Sequence, residues 1–304
     1  DAYFTRLRER FIQDGERGIY VAVMLFEGWS LDTRRANGNG FPFKGHPFYK
    51  ENNINGIDGN PPMETAGTVS MSQDSNPFCP TEHLRVHTLD VPEITAYQKK
   101  MVKRIVETLN DLDNVMFEIC NEALRWSRYW QYEMVRYIHE LERGMPKQHP
   151  VWMSHLVQAQ NESLYVSEAE AISPGVEDVA EPYCINPPAS DGRKVIIADT
   201  DHLGGFWGTS QWAWKSFMRG INPIFMDFWG PMRDNGAMEN DNPMSDLFGR
   251  REYMLPKNWG EPVRVALGQT RAYAEKVDLI HMLPYNDFSS TSYCLANLGK
   301  EYLV

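Results

Sequence analysis

Apolar and polar positions along this 304-residue chain fall into two alternating textures. Short runs with no polar face stand around 20–26, 115–120, 151–156, 170–173, 194–198 and 222–227. Runs of that length, apolar on both sides, predict strands buried on both faces. Between them the apolar period lengthens to that of a helix. Residues 1–15 carry Phe4, Leu7, Phe11 and Ile12 on one face, and 92–109 carry Ile94, Tyr97, Met101, Ile105 and Leu109. Trp130, Met134, Tyr137, Ile138 and Leu141 mark a helix over 127–143, Trp212, Trp214, Phe217 and Met218 mark another, and 263–276 reads as a last one. Strands alternating with helices predict a parallel α/β architecture. Six strands, with an opening helix that follows no strand, predict a (β/α)8 TIM barrel lacking its first two strands in this chain, over residues 1–285. The texture changes over 286–304, where two short β-like runs flank Asn297-Leu298-Gly299. That pattern predicts a terminal hairpin, the start of a C-terminal β element.

Residues 31–90 break both periods with Gly, Asn and Pro, and read as a long functional loop. Phe41, Phe43, His46, Phe48 and Tyr49 give it material to pack and bind with, and His46 and Asn53 are placed to reach over a cleft.

Charge narrows the possible partners. A net charge of −11 and a pI near 5.2 match neither the phosphates of nucleic acid nor an anionic membrane surface. No run approaches the roughly 18 apolar residues of a membrane span, and no signal-peptide pattern opens the chain. The four cysteines show no CxxC or Cys/His spacing, and Asp58-Gly59-Asn60 lacks the spacing of a calcium loop, so neither metal nor cofactor is predicted. Nine Trp and fourteen Tyr suit a cleft in which sugar rings stack, and they also serve as core. A carbohydrate is the expected substrate; the oligomeric state is not legible.

Two strands end in carboxylates. VMFEICNEAL delivers Glu122 behind Asn121, and KVIIADTDH delivers Asp199, followed by Asp201 and His202. Barrel strands converge their C-terminal ends on one cleft, where two such groups can face each other. Glycosidic cleavage needs such a pair, one protonated to donate to the leaving oxygen and one ionised to attack or to activate water. The spacing leaves a second reading equally open, in which Glu122 caps a helix and Asp199 pairs with a basic neighbour. Trp229 is a candidate sugar-stacking platform, Asp227 a hydroxyl acceptor, and His155 and His202 orienting or binding groups. Trp29 and Glu27 end a strand at the same rim. Each has a packing or ion-pair role as its alternative.

The Asn121-Glu122 pair after an apolar strand resembles the signature of clan A glycoside hydrolases, the cellulase-like (β/α)8 barrels. The resemblance implies that Glu122 is the acid/base at the end of the fourth strand, with Asn121 binding a hydroxyl beside the scissile bond. It implies that Asp199 stands at the nucleophile's place on the seventh strand and Trp229 on the eighth. The segments GWS, HPF, NNINGI, DTDHL and YCLAN with KEYLV are similar to a bacterial family of cellulase-like barrels with a C-terminal collagen-binding-type β-domain. A secreted or periplasmic home is implied. One departure stands out: the clan's nucleophile is Glu, and Asp199 is shorter by a methylene. The gap of about 5 Å that retaining enzymes use is thereby open to widening toward inversion, although retention is the expected course. Asp201 is the other candidate, pointed to the opposite side by alternation. Two rivals complete the expectations, a metal-dependent hydrolase using Asp199, Asp201, His202 and His155, and a non-catalytic carbohydrate-binding barrel.

Overall fold

The apolar runs become strands because only pairing on both edges satisfies a backbone whose side chains all leave water. The computed structural model describes residues 1–28, 42–59, 85–157, 159–175, 186–199, 202, 209–225 and 260–304. It divides into two units, Asp1–Asp178 and Val179–Val304. Six parallel strands alternate with helices, four in the first unit and two in the second.

The first unit opens with α1 (Ala2–Gly15), β1 (Val21–Glu27) and two 3-10 turns, Pro42–Gly45 and Arg85–His87. It continues with α2 (Pro92–Leu109), β2 (Val115–Asn121), a 3-10 turn at Arg125–Ser127, and α3 (Arg128–Glu142). It ends with β3 (Val151–Ser154), the short α4 (Glu162–Tyr165) and β4 (Ala171–Ser173). The strands lie in chain order, β1-β2-β3-β4. Pro92 opens α2, where its missing N–H costs nothing, and Ile94, Gln98, Val102, Ile105 and Leu109 form the buried stripe below it. From α3 the matching stripe is Trp130, Met134, Val135 and Ile138. Asn114 ties the layers by donating its amide to the carbonyls of Phe11 and Ile19, just before β2 starts.

In the second unit the order is β5 (Val195–Asp199), α5 (Ser210–Met218), β6 (Ile221–Ile224), α6 (Glu261–Ala274), β7 (Leu283–Pro284), β8 (Leu295–Asn297) and β9 (Glu301–Leu303). Thr209 caps α5 by accepting from Trp212 N at 3.0 Å. Strands β7, β8 and β9 make an antiparallel sheet, with the expected hairpin between β8 and β9. Its Leu295 shares a core cluster with Phe217 and Met218 of α5 and with Met282.

Two strands differ from the fully buried expectation. In β1 only Leu25 is buried and Met24 is 48% exposed, because β1 pairs with β2 alone among the described residues. In β6 Asn222 and Ile224 are exposed and Pro223 has no N–H to give a further neighbour, as suits a strand that pairs with β5 alone among the described residues.

Candidate functional site

Parallel strands deliver their last residues to one edge, and in the first unit that edge gathers most of the chemistry. Glu27 closes β1 level with Asn121 of β2, and Glu122 follows directly. His155, buried, lies one residue beyond β3, where its N–H donates to Ser173 O of β4 at 2.7 Å. With neighbouring strands about 4.8 Å apart, Glu27 and His155 lie roughly 10 Å from each other along this edge.

Glu122 has φ of +42°, in the left-handed region that non-glycine residues rarely occupy. The pairing of β2 with β3 explains it. Glu118 is level with Trp152 and Leu124 with Val157, so six steps on one chain face five on the other. One residue is extra, and Glu122, the residue in the left-handed conformation, absorbs it as a bulge. Bulges beside functional sites re-aim a side chain.

The bulge is held from both sides. Gly28 N donates to Asn121 O at 2.8 Å, Val157 N donates to Ala123 O at 2.9 Å, and Arg125 N donates to Val157 O at 3.1 Å. Gly28 is required sterically, since a Cβ there would stand 2.6 Å from Ala123 Cα and 2.9 Å from Asn121 O. A strained turn persists when its surroundings over-determine it, and here three strand ends do so.

Polar groups support this edge from below. The Ser154 hydroxyl donates to buried Glu118 Oε1 and accepts from Trp152 Nε1 at 2.9 Å. Beside them His87 stacks on Trp130 at 4.6 Å between centroids, with Phe26 against Trp130 at 5.0 Å and Cys120 Sγ 3.9 Å from His87 Nδ1. Burial, helped by the nearby His46, pushes His87 down to about 3, so the ring is neutral at any working pH. Cys120 is buried as well, and desolvation followed by repulsion from Glu27 and Glu118 holds its thiol well above the usual range. It is therefore a packing group rather than a nucleophile. His46 stacks on Phe43 at 5.3 Å and accepts from Phe48 N at its Nδ1, and burial pushes it down to about 4. The His46 ring is thus part of the loop's own packing.

In the second unit Asp199 is the last residue of β5, level with Ile224 of β6, and its carbonyl accepts from His202 N at 3.1 Å. His202 is buried. Asp201, Asp227, Trp229 and Trp29 lie outside the described residues. Among the described residues no three His, Cys, Asp or Glu side chains gather as a metal-ligand set.

A cavity of about 490 Å³ lies at the opposite end of β3, lined by His139, Glu142, Arg143, Gln148, His149 and Glu170 among others. Its size invites attention, but its carboxylates and histidines are committed to structure. Glu142, buried, accepts from His149 Nδ1 at 2.6 Å, from His149 N at 2.8 Å and from Asn110 Nδ2 at 2.9 Å. Glu170 accepts from Val151 N at 2.9 Å and pairs with His139. These bonds pin the start of β3 to the end of α3, and the N-terminal side of parallel strands is where stability rather than chemistry is built.

His87 and Glu118 are absent from the expectations drawn from sequence, and Trp130 enters them only as a helix-face residue. His87 sits at the end of a stretch that reads as loop, and Glu118 interrupts an apolar run by one residue, which alternation alone does not mark as a site. Comparison of the chain with family models, curated proteins and solved structures returns no match.

Proposed function

We propose that this chain is a glycoside hydrolase of the cellulase-like clan, a (β/α)8 barrel in which β1 takes the third-strand place and β2 the fourth. The observation that supports it most is the bulge at Asn121-Glu122, which sets a strained carboxylate at the C-terminal end of a buried parallel strand. Strain of about 1–3 kcal/mol at a non-glycine residue is the kind of cost that function sustains.

In this mechanism Glu122 donates a proton to the leaving glycosidic oxygen while Asn121 holds the hydroxyl beside the scissile bond. Asp199, at the end of its own strand, attacks the anomeric carbon; Glu122 then takes a proton from the water that releases the sugar. Glu27 and His155, on the same strand edge as Glu122, bind substrate hydroxyls. The substrate is a polysaccharide or an oligosaccharide derived from one, and a secreted or periplasmic setting fits it.

The test uses Glu122→Gln and Asp199→Asn, checked for folding by circular dichroism. Release of reducing ends from a panel of neutral and acidic polysaccharides is measured beside turnover of aryl glycosides. Loss of the acid is expected to slow unactivated substrates by roughly 10²–10⁴. Aryl glycosides, whose leaving groups need little protonation, are expected to suffer less from Glu122→Gln than from Asp199→Asn. Wild-type turnover by both variants would refute the two-carboxylate mechanism, and Asp201→Asn, run alongside, tests the neighbouring aspartate in the same role.

A further inference from the structure

A second cavity, of about 300 Å³, opens on the first unit between the 42–59 segment and α2. Phe48 and Tyr97 line it with Asn52, Asn53, Ile54 and Asn55. Its described lining therefore combines two aromatic rings with three amides and carries no charged side chain. The size falls at the lower end of small-molecule pockets.

The segment is built to hold this shape. Asn53 Oδ1 accepts from the N–H groups of Asn55 and Ile57, both at 2.9 Å, and Asn53 Nδ2 donates to Pro47 O at 3.1 Å. Asn52 Nδ2 donates to His46 O at 3.3 Å. Phe43, buried with Val86, anchors the segment below, and Gly59 N closes it on Phe48 O at 2.9 Å. Tyr97 is set by Phe48 at 6.3 Å between centroids and by the Lys100 ammonium 5.0 Å from its ring centre, yet it remains 44% exposed. Ile54 is held 97% exposed at the rim. A fixed loop that holds an isoleucine in water, beside an exposed tyrosine of α2 and a row of amides, leaves apolar surface open next to polar groups.

We infer that this cavity is a carbohydrate-binding subsite, taking one neutral sugar unit of a polysaccharide chain. Neutral sugars have apolar C–H faces that stack on aromatic rings and neighbouring hydroxyls that donate and accept together, which side-chain amides match. The described lining has no charged side chain of its own, and the Lys100 ammonium beside it is set against the Tyr97 ring. An extended proline-rich peptide also packs on aromatics, but along its backbone it presents carbonyl acceptors without the paired donors and acceptors of a sugar's hydroxyls. The subsite is independent of the chemistry assigned to Glu122 and Asp199.

The experiment is native affinity electrophoresis of Glu122→Gln protein, which removes turnover, in gels containing xyloglucan, galactomannan, arabinoxylan or a mixed-linkage β-glucan. Retardation by at least one is expected. Adding Tyr97→Ala should weaken it roughly five- to tenfold, the worth of one aromatic contact, while Tyr97→Phe retains it. Melting temperatures of both double variants establish that they are folded. Mobility unchanged in all four gels, or retardation that Tyr97→Ala leaves intact, would overturn the inference. So would binding of a labelled PxxP peptide that Tyr97→Ala abolishes, since the pocket would then be a peptide site. Because every arm carries Glu122→Gln, no outcome bears on whether the wild-type chain hydrolyses a glycan.

Discussion

Replacing Glu122 by Gly and separately by Ala isolates the strain in the bulge. Both substitutions remove the same carboxylate and all of its contacts, so their difference reports the backbone alone. At an ordinary position Gly is the less stable of the two by about 0.5–1 kcal/mol, because it loses more freedom on folding. At φ of +42° the order should invert. A left-handed conformation costs an L-residue roughly 1–2 kcal/mol. Subtracting the entropic cost of Gly leaves it ahead of Ala by about 0.5–1 kcal/mol. For a chain of this size that is a difference of roughly 1–2 °C in Tm. Urea midpoints and calorimetry of the two variants measure it directly. If Glu122→Ala proves as stable as Glu122→Gly or more so, Glu122 is not strained, and the bulge loses its claim to be sustained by function. If Glu122→Gly is also more stable than the wild type, the protein is giving up stability to hold a carboxylate there.

Gly28→Ala should destabilise by about 1–3 kcal/mol, since the Cβ meets only backbone that cannot rotate aside; it should also lower turnover more than Tm implies by displacing Glu122, which paired activity and melting measurements show. Ser154→Ala leaves buried Glu118 without the Ser154 hydroxyl, at a cost of about 1–3 kcal/mol read from urea unfolding. His149 has both ring nitrogens against acceptors, Glu142 Oε1 and Leu112 O. Burial lowers its pKa, but those hydrogen bonds and the Glu142 charge outweigh it, and the net shift is upward. Its contribution is therefore complete below the unfolded pKa of about 6.5 and is lost as pH rises through the folded value. Urea midpoints from about pH 6 to 9 should fall more steeply for wild type than for His149→Gln, and parallel curves would contradict the protonated pair.

The strands were legible where burial is complete. VMFEICN has no wet face, and Val115, Phe117 and Ile119 are buried in β2. The two carboxylates that end apolar runs stand at or just beyond strand ends, Asp199 as the last residue of β5 and Glu122 immediately after β2. The bulge was not legible, because an extra residue exists only by comparison with the partner strand, and nothing within Asn121-Glu122-Ala123 demands a positive φ. The exposure of Met24 is not written in the sequence for a similar reason: IYVAVMLF records how apolar a strand is, not how many neighbours it has. Nothing in the sequence marks His149 and His139 as paired, since their partners lie across turns or on other elements, Glu142 seven residues earlier and Glu170 beyond β3. The 42–59 segment reads as part of a long functional loop with aromatics to pack it, but its sequence does not show that a single amide, that of Asn53, organises its tip.

The register between β2 and β3 also sets how easily the Glu122 carboxylate can be lost. The sheet does not require Glu122; with five steps on each side the pairing from Glu118–Trp152 to Leu124–Val157 would run without interruption. Deleting the one codon for Glu122 would relieve the strained conformation and even the register while removing the carboxylate. A chain that keeps the β2–β3 pairing but lacks this carboxylate is thus a single in-frame deletion away, and the sheet would be the more regular for it.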